Sequence, residues 1–220
     1  MRKKRGYQRD TPKELVRDYK LFAIACEGGK REPAYFRLFE NMSRKVTVDI
    51  IEDKVSEQEL AHKYETKSAP KWVLDRAVKY IEKEGLTDED DLWFVMDKDR
   101  WTDEQLRTIA DYCSENPNWH IVLSNPCFEV WLYFHKKPQI SDVDMTCKAL
   151  KTEVAKLEKG GYSPAKFIPN LFDAISNAEN VDSDKAHFLP NSGETKVYQL
   201  GKALIEIIGK KDFEAFLRSM

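Results

Sequence analysis

The chain has 220 residues, with 36 Lys and Arg against 38 Asp and Glu, a formal net charge of −2 and a mean hydropathy of −0.62. That balance of signs excludes a globally basic nucleic-acid coat protein. Disorder is disfavoured by 41% hydrophobic and 11% aromatic residues, and no apolar run approaches the ~18 residues of a membrane span.

The chain opens on Met1-Arg-Lys-Lys-Arg-Gly-Tyr-Gln-Arg9, which has the charge of a signal-peptide start but no apolar stretch after it. It is therefore expected to be cytosolic. Residues 1–18 read as a basic, flexible leader. Tyr19 to Cys26 is an apolar run of strand length, broken by Glu27-Gly-Gly-Lys-Arg-Glu-Pro33. Pro33 suits a first helical turn. The spacing of Tyr35, Phe36, Phe39 and Met42 predicts a helix over 33–43 with one buried face. Val46 to Ile51 is β-branched and reads as a second strand. The polar stretch 52–69 reads as a loop with a short helical piece. Pro70 opens a helix with Trp72, Val73, Ala77, Tyr80 and Ile81 inward, and Gly85 ends it.

Asp91-Leu-Trp-Phe-Val-Met-Asp97 is the clearest strand, and its five consecutive apolar residues predict burial on both faces, as in a parallel sheet. Thr102-Asp-Glu-Gln105 reads as an N-cap that starts a helix to about Glu115. After the Asn116-Pro-Asn118 turn, Trp119–Leu123 is a fourth strand. Ser124-Asn-Pro126 opens a helix carrying Phe128, Val130, Trp131, Leu132 and Phe134. Further helices are predicted over about 142–158, 166–180 and 196–210, with a last turn at 212–218. The alternation defines an α/β core over 19–140 with a mostly parallel central sheet flanked by helices, and a helical C-terminal part over 141–220 packed on it. In such sheets ligands bind at the carboxyl ends of the strands.

Acids gather there. Glu27 follows the first strand, Asp97 and Asp99 the third, and Glu129 lies just after the fourth. The i, i+2 spacing of Asp97 and Asp99 turns both carboxylates to one side of an extended chain, where they could share a cation. Hard oxygen donors of this kind select Mg²⁺ or Mn²⁺, one or two ions, and not zinc. For each acid alone, the plain alternative is an ordinary loop residue. Lys30, Arg31, Lys98 and Arg100 flank the acids, either as phosphate contacts or as solvated loop charges. The glycines beside Glu27 lack the spacing of a nucleotide-binding P-loop. Cys26, Cys113, Cys127 and Cys147 form no CxxC pair and read as buried reduced thiols. His135 is expected to end its helix on a different face from Glu129, and His62, His120 and His187 have no partner spacing. Trp101 reads as rim packing, with base stacking as the alternative.

Cys26-Glu27-Gly28, Asp97-Lys-Asp-Arg-Trp101, Ser124-Asn-Pro-Cys-Phe-Glu-Val-Trp-Leu132 and Asn191-Ser-Gly-Glu-Thr195 together resemble the RloB family. That family is found near restriction–modification loci, and its fold resembles Toprim. The resemblance implies Glu27 as metal ligand or general acid/base, Asp97 and Asp99 as Mg²⁺ ligands, and Glu129 as the acid completing a second metal position. It also implies an ATPase partner encoded nearby and a role in defence against phage. No topoisomerase tyrosine context or primase accessory domain is recognisable, which favours hydrolysis. The leading expectation is a metal-dependent nuclease acting on DNA or RNA phosphodiesters. The alternatives are a non-catalytic nucleic-acid- or partner-binding module, and a nucleotidyl or phosphoryl transferase. The residues leave the oligomeric state open.

Overall fold

The computed structural model describes residues 19–52 and 70–220. The leader 1–18 and most of the polar stretch expected as a loop lie outside the described residues. Four strands, β1 (Lys20–Cys26), β2 (Val46–Ile50), β3 (Asp91–Asp97) and β4 (Trp119–Ser124), form one sheet in the order β2-β1-β3-β4. All three pairings are parallel, as the expected α/β, Toprim-like fold requires.

The connections explain the layers. Helix α1 (Arg31–Phe36) links β1 to β2 in one direction across the sheet. Helices α2 (Pro70–Glu84) and α3 (Asp103–Ser114) precede and follow β3 as the chain moves in the other direction. Right-handed crossovers running in opposite directions put their helices on opposite faces. The alternation along β1 follows. Phe22, Ile24 and Cys26 join the core under α1, whereas Ala23 and Ala25 join the core under α2 and α3. β3 is covered on both faces, as its unbroken apolar run predicted.

The C-terminal helices extend the first face. They are α4 (Glu129–Phe134), α5 (Cys147–Lys156), α6 (Pro164–Phe167), α7 (Leu171–Val181), α8 (Val197–Ile208) and α9 (Lys210–Ser219). Several boundaries differ from those read in the sequence, each for a local reason. α1 begins at Arg31, two residues before Pro33, and passes into a 3-10 turn over Arg37–Asn41. The helix expected from 142 starts at Cys147, because Asp142 has φ of 58° and the Thr146 hydroxyl caps the Ala149 N–H at 3.3 Å. The helix expected over 166–180 is broken by a 3-10 turn at Ile168–Asn170, where Pro169 has no N–H to continue the ladder. Gly209, at φ of 79°, separates α8 from α9. Thr102 forms the anticipated capping box with Gln105.

The Asn191–Thr195 segment closes the open end of β4. Lys196 N–H donates to Leu123 O at 2.7 Å, Gly193 N–H to Asn125 O at 2.8 Å, and the Ser124 and Thr195 hydroxyls lie 2.7 Å apart. Behind it, Lys196 Nζ donates to both oxygens of buried Asp182 at 2.6 and 2.7 Å, and the Tyr198 hydroxyl adds a third bond at 2.7 Å. This motif of the sequence is therefore a structural clasp. Among the described residues no helix is long and apolar enough to cross a membrane.

Candidate active site at the carboxyl rim of the sheet

β1 and β3 are neighbours, but the chain leaves them toward opposite faces. That divergence is the topological switch point, where parallel sheets open a crevice. Glu27 and Asp97 stand on either side of it. Glu27 N–H continues the ladder to Val95 O at 2.9 Å. Its side chain turns across the crevice, and Oε2 accepts the Asp97 N–H at 2.9 Å. Oε1 accepts the Trp101 indole N–H at 2.9 Å. Burial raises the Glu27 carboxyl, the bonds from Asp97 and Trp101 lower it, and the Asp99 and Glu32 charges raise it again, leaving it at about 7. Trp101 is thus an orienting donor to Glu27.

Asp97 closes the other side, with Oδ1 accepting the Phe128 N–H at 2.9 Å. Burial pushes its carboxyl well above the carboxylate range, and Glu32, Glu27, Glu129 and Asp99 push it further. The other three acids found in the sequence are therefore brought within electrostatic reach of Asp97. They do not share a single point. The peptide after β3 is held by Asp99 N–H to Pro126 O at 3.1 Å, and the Asp99 side chain lies 3.0 Å from the Cys147 thiol, which donates to Oδ2. Buried Glu129 is ion-paired with Arg31. Among the described residues, no three His, Cys, Asp or Glu side chains stand close enough in this conformation to enclose one ion. The donor chemistry and the crowding of negative charge fit a hard cation. Enclosing one ion would need the side chains to swing inward from these positions.

The flanking cations divide. Arg31 is engaged with Glu129, its guanidinium 5.7 Å from the centre of the Tyr162 ring. Lys98 turns away to Asp103. Lys30 is exposed. Arg100 is 71% exposed and reaches Asp99 only at 3.8 Å.

Sequence reading missed Glu32. Its carboxylate folds over Gly28, where any Cβ would come within 2.2 to 2.5 Å of it. The space beside Gly28 is taken by the flexible end of this side chain, which would have to shift for any larger residue there. Burial raises Glu32, as does Glu129, while Lys151 and Arg31 oppose the rise. The available signal was position: a fifth acid in the first turn of α1, ahead of Pro33. Cys147 and Lys151 were also missed, because they arrive on α5 from far along the chain. Cys127 and Cys147 are free thiols. Burial holds both up, with Glu129 adding to Cys127 and Asp99 to Cys147, which reaches about 12.

His135 is separate from this chemistry. Its Nδ1 faces Trp131 O at 3.0 Å and so carries the proton, which leaves Nε2 to accept the Tyr35 hydroxyl at 2.9 Å. Burial lowers it to about 3, so it is a neutral core residue at the helix end.

Fold and rim together define an α/β protein with an acidic site at its topological switch point. The family model for RloB-like protein matches residues 22–204, and the chain belongs to the RloB-like family. No curated protein and no solved structure matches it.

Proposed function

We propose that this protein is a metal-dependent nuclease that hydrolyses nucleic-acid phosphodiesters at the β1–β3 rim. The observation that supports this most is Asp97, half-buried with Glu27, Glu32, Glu129 and Asp99 close enough to raise its pKa. Such crowding is costly for a purely structural site and useful where a cation must be attracted. Glu27, Asp97 and Asp99, with Glu129 at a second position, are the residues that would hold Mg²⁺ or Mn²⁺. When bound, a divalent cation polarises the scissile phosphate and lowers the pKa of a coordinated water. Glu27, poised near neutrality and held by Trp101 and the Asp97 N–H, is suited to accept a proton from water. Lys30 and Arg100 are placed to meet phosphate oxygens, as is Arg31 if Glu129 turns to a cation. Family membership supports, by resemblance, a role in phage defence beside an ATPase encoded nearby, and the basic start without a following apolar stretch supports a cytoplasmic location.

A second reading is a non-catalytic nucleic-acid or partner-binding module, favoured by the Arg31–Glu129 ion pair that already satisfies one acid. Plasmid DNA and tRNA incubated with Mg²⁺ or Mn²⁺ decide between them. Cleavage that is lost in Asp97→Ala and Glu27→Ala is expected. Cleavage persisting in both variants sinks the site assignment, and intact binding without cleavage under any metal favours the module.

A further inference from the structure

An acidic rim repels the polyanion it is proposed to cut, and the chain as a whole, at net charge −2, offers no compensating field. The compensation has to be local, and the structure places cations on a helix that no motif pointed to. α5 buries Leu150 and Val154, and Cys147 on the same side touches Asp99. At about 100° per residue, Lys151 and Lys148 lie roughly 40° and 100° round the helix from Cys147, on the flank beside the rim. Both are exposed, and Thr152 and Ala155, also exposed, complete that flank without an acid. The charge of Lys151 is near enough to oppose the rise of the Glu32 carboxyl. Among the described residues, neither lysine has an ion-pair partner, whereas Lys156 on the opposite flank is tied to Glu153 at 2.6 Å. Exposed Lys30 and Arg100 stand on the loops that follow β1 and β3.

We propose that Lys148 and Lys151, together with Lys30 and Arg100, form a phosphate-contact edge that holds a polynucleotide backbone across the acidic rim; Arg100 and Cys147 of α5 already meet at the same Asp99 oxygen, at 3.8 and 3.0 Å. The edge deepens the nuclease reading and rests on it for its purpose, but its binding can be measured without cleavage. Two exposed lysines on a regular helix can be replaced by Ala at no cost in helix propensity, so the variant folds.

The test is fluorescence anisotropy of a labelled oligonucleotide in EDTA, from 25 to 200 mM KCl. Each phosphate contact contributes about −0.7 to the log–log salt slope for a single strand and about −0.9 for a duplex. Lys148→Ala/Lys151→Ala is expected to reduce the slope by about 1.4 or 1.8 and to weaken binding at low salt, with Lys148→Arg/Lys151→Arg retaining the wild-type slope. The charge-matched control Lys210→Ala/Lys211→Ala, on exposed α9 residues, is expected to change neither. An α5 variant with the slope and affinity of that control overturns the proposal, as does wild-type protein that fails to bind at 25 mM KCl. If no metal yields cleavage but the α5 slope change is present, the nuclease reading falls and the phosphate edge stands.

Discussion

Asp182 lies in the C-terminal layer with both oxygens on Lys196 Nζ and a third bond from Tyr198. Asp97 lies at the end of β3 with a backbone N–H on one oxygen and four other carboxylates around it. Asp182 is buried and Asp97 half-buried. The first has its charge cancelled within the chain, and that is how a buried charge serves a fold. The second has negative neighbours where a counter-charge would be, and with burial they hold its carboxyl well above the usual carboxylate range. The clasp behind β4 is complete in itself. The rim is not, and that difference separates structure from function in this molecule.

The largest way to break the comparison is Lys196→Met. It leaves buried Asp182 with the Tyr198 hydroxyl but without its counter-charge, and a loss of about 3–5 kcal/mol is expected in urea unfolding. A loss below about 1 kcal/mol would mean that the clasp is not an obligatory pair.

The rim has the opposite sign. Glu27 binds its proton more tightly when folded than unfolded, since its value is raised from 4.5 to about 7. Between those values the native state holds more protons, so stability falls as pH rises through that window. The expected decline from pH 5 to pH 8 due to Glu27 is on the order of 3 kcal/mol, and Glu27→Gln should flatten that part of the profile while abolishing cleavage. A stability–pH slope unaltered by the substitution would contradict the raising of Glu27 by burial and, to a lesser degree, by the Asp99 and Glu32 charges.

The smallest effect sharpens the picture. Trp101→Phe removes one donor from the ionised form of Glu27, worth about 1 kcal/mol. The pH–rate profile for cleavage should move to higher pH by roughly half to one unit, with little change in melting temperature. A profile that stays in place would reduce Trp101 to packing.

Much of this was legible beforehand. The Leu92–Met96 run gave a strand covered on both faces because only a central parallel strand tolerates apolar residues at every position. Thr102 and Gln105 gave a helix start because capping is a three-residue interaction. Glu27, Asp97, Asp99 and Glu129 could be placed on one rim because parallel strands put all their carboxyl ends at one edge. Glu32 was hidden, since it sits in a run of charges that reads as solvated and is buried only by the way α1 folds over Gly28. The boundaries that moved did so at Asp142, Pro169 and Gly209, single residues whose backbone demands outrank hydrophobic periodicity.

By itself, then, the sequence determined the α/β alternation, the direction of the sheet and the edge on which the acids stand, because these follow from local periodicity and from interactions within a few residues. Only the tertiary structure decided how each charge is met. The thiol on Asp99 comes from a residue 48 positions away, and the cation on Glu129 from one 98 positions away. Local propensity carries no information about such partners. Burial and neighbouring charge, which set whether a carboxylate is neutralised, protonated or left charged, exist only once the chain has folded.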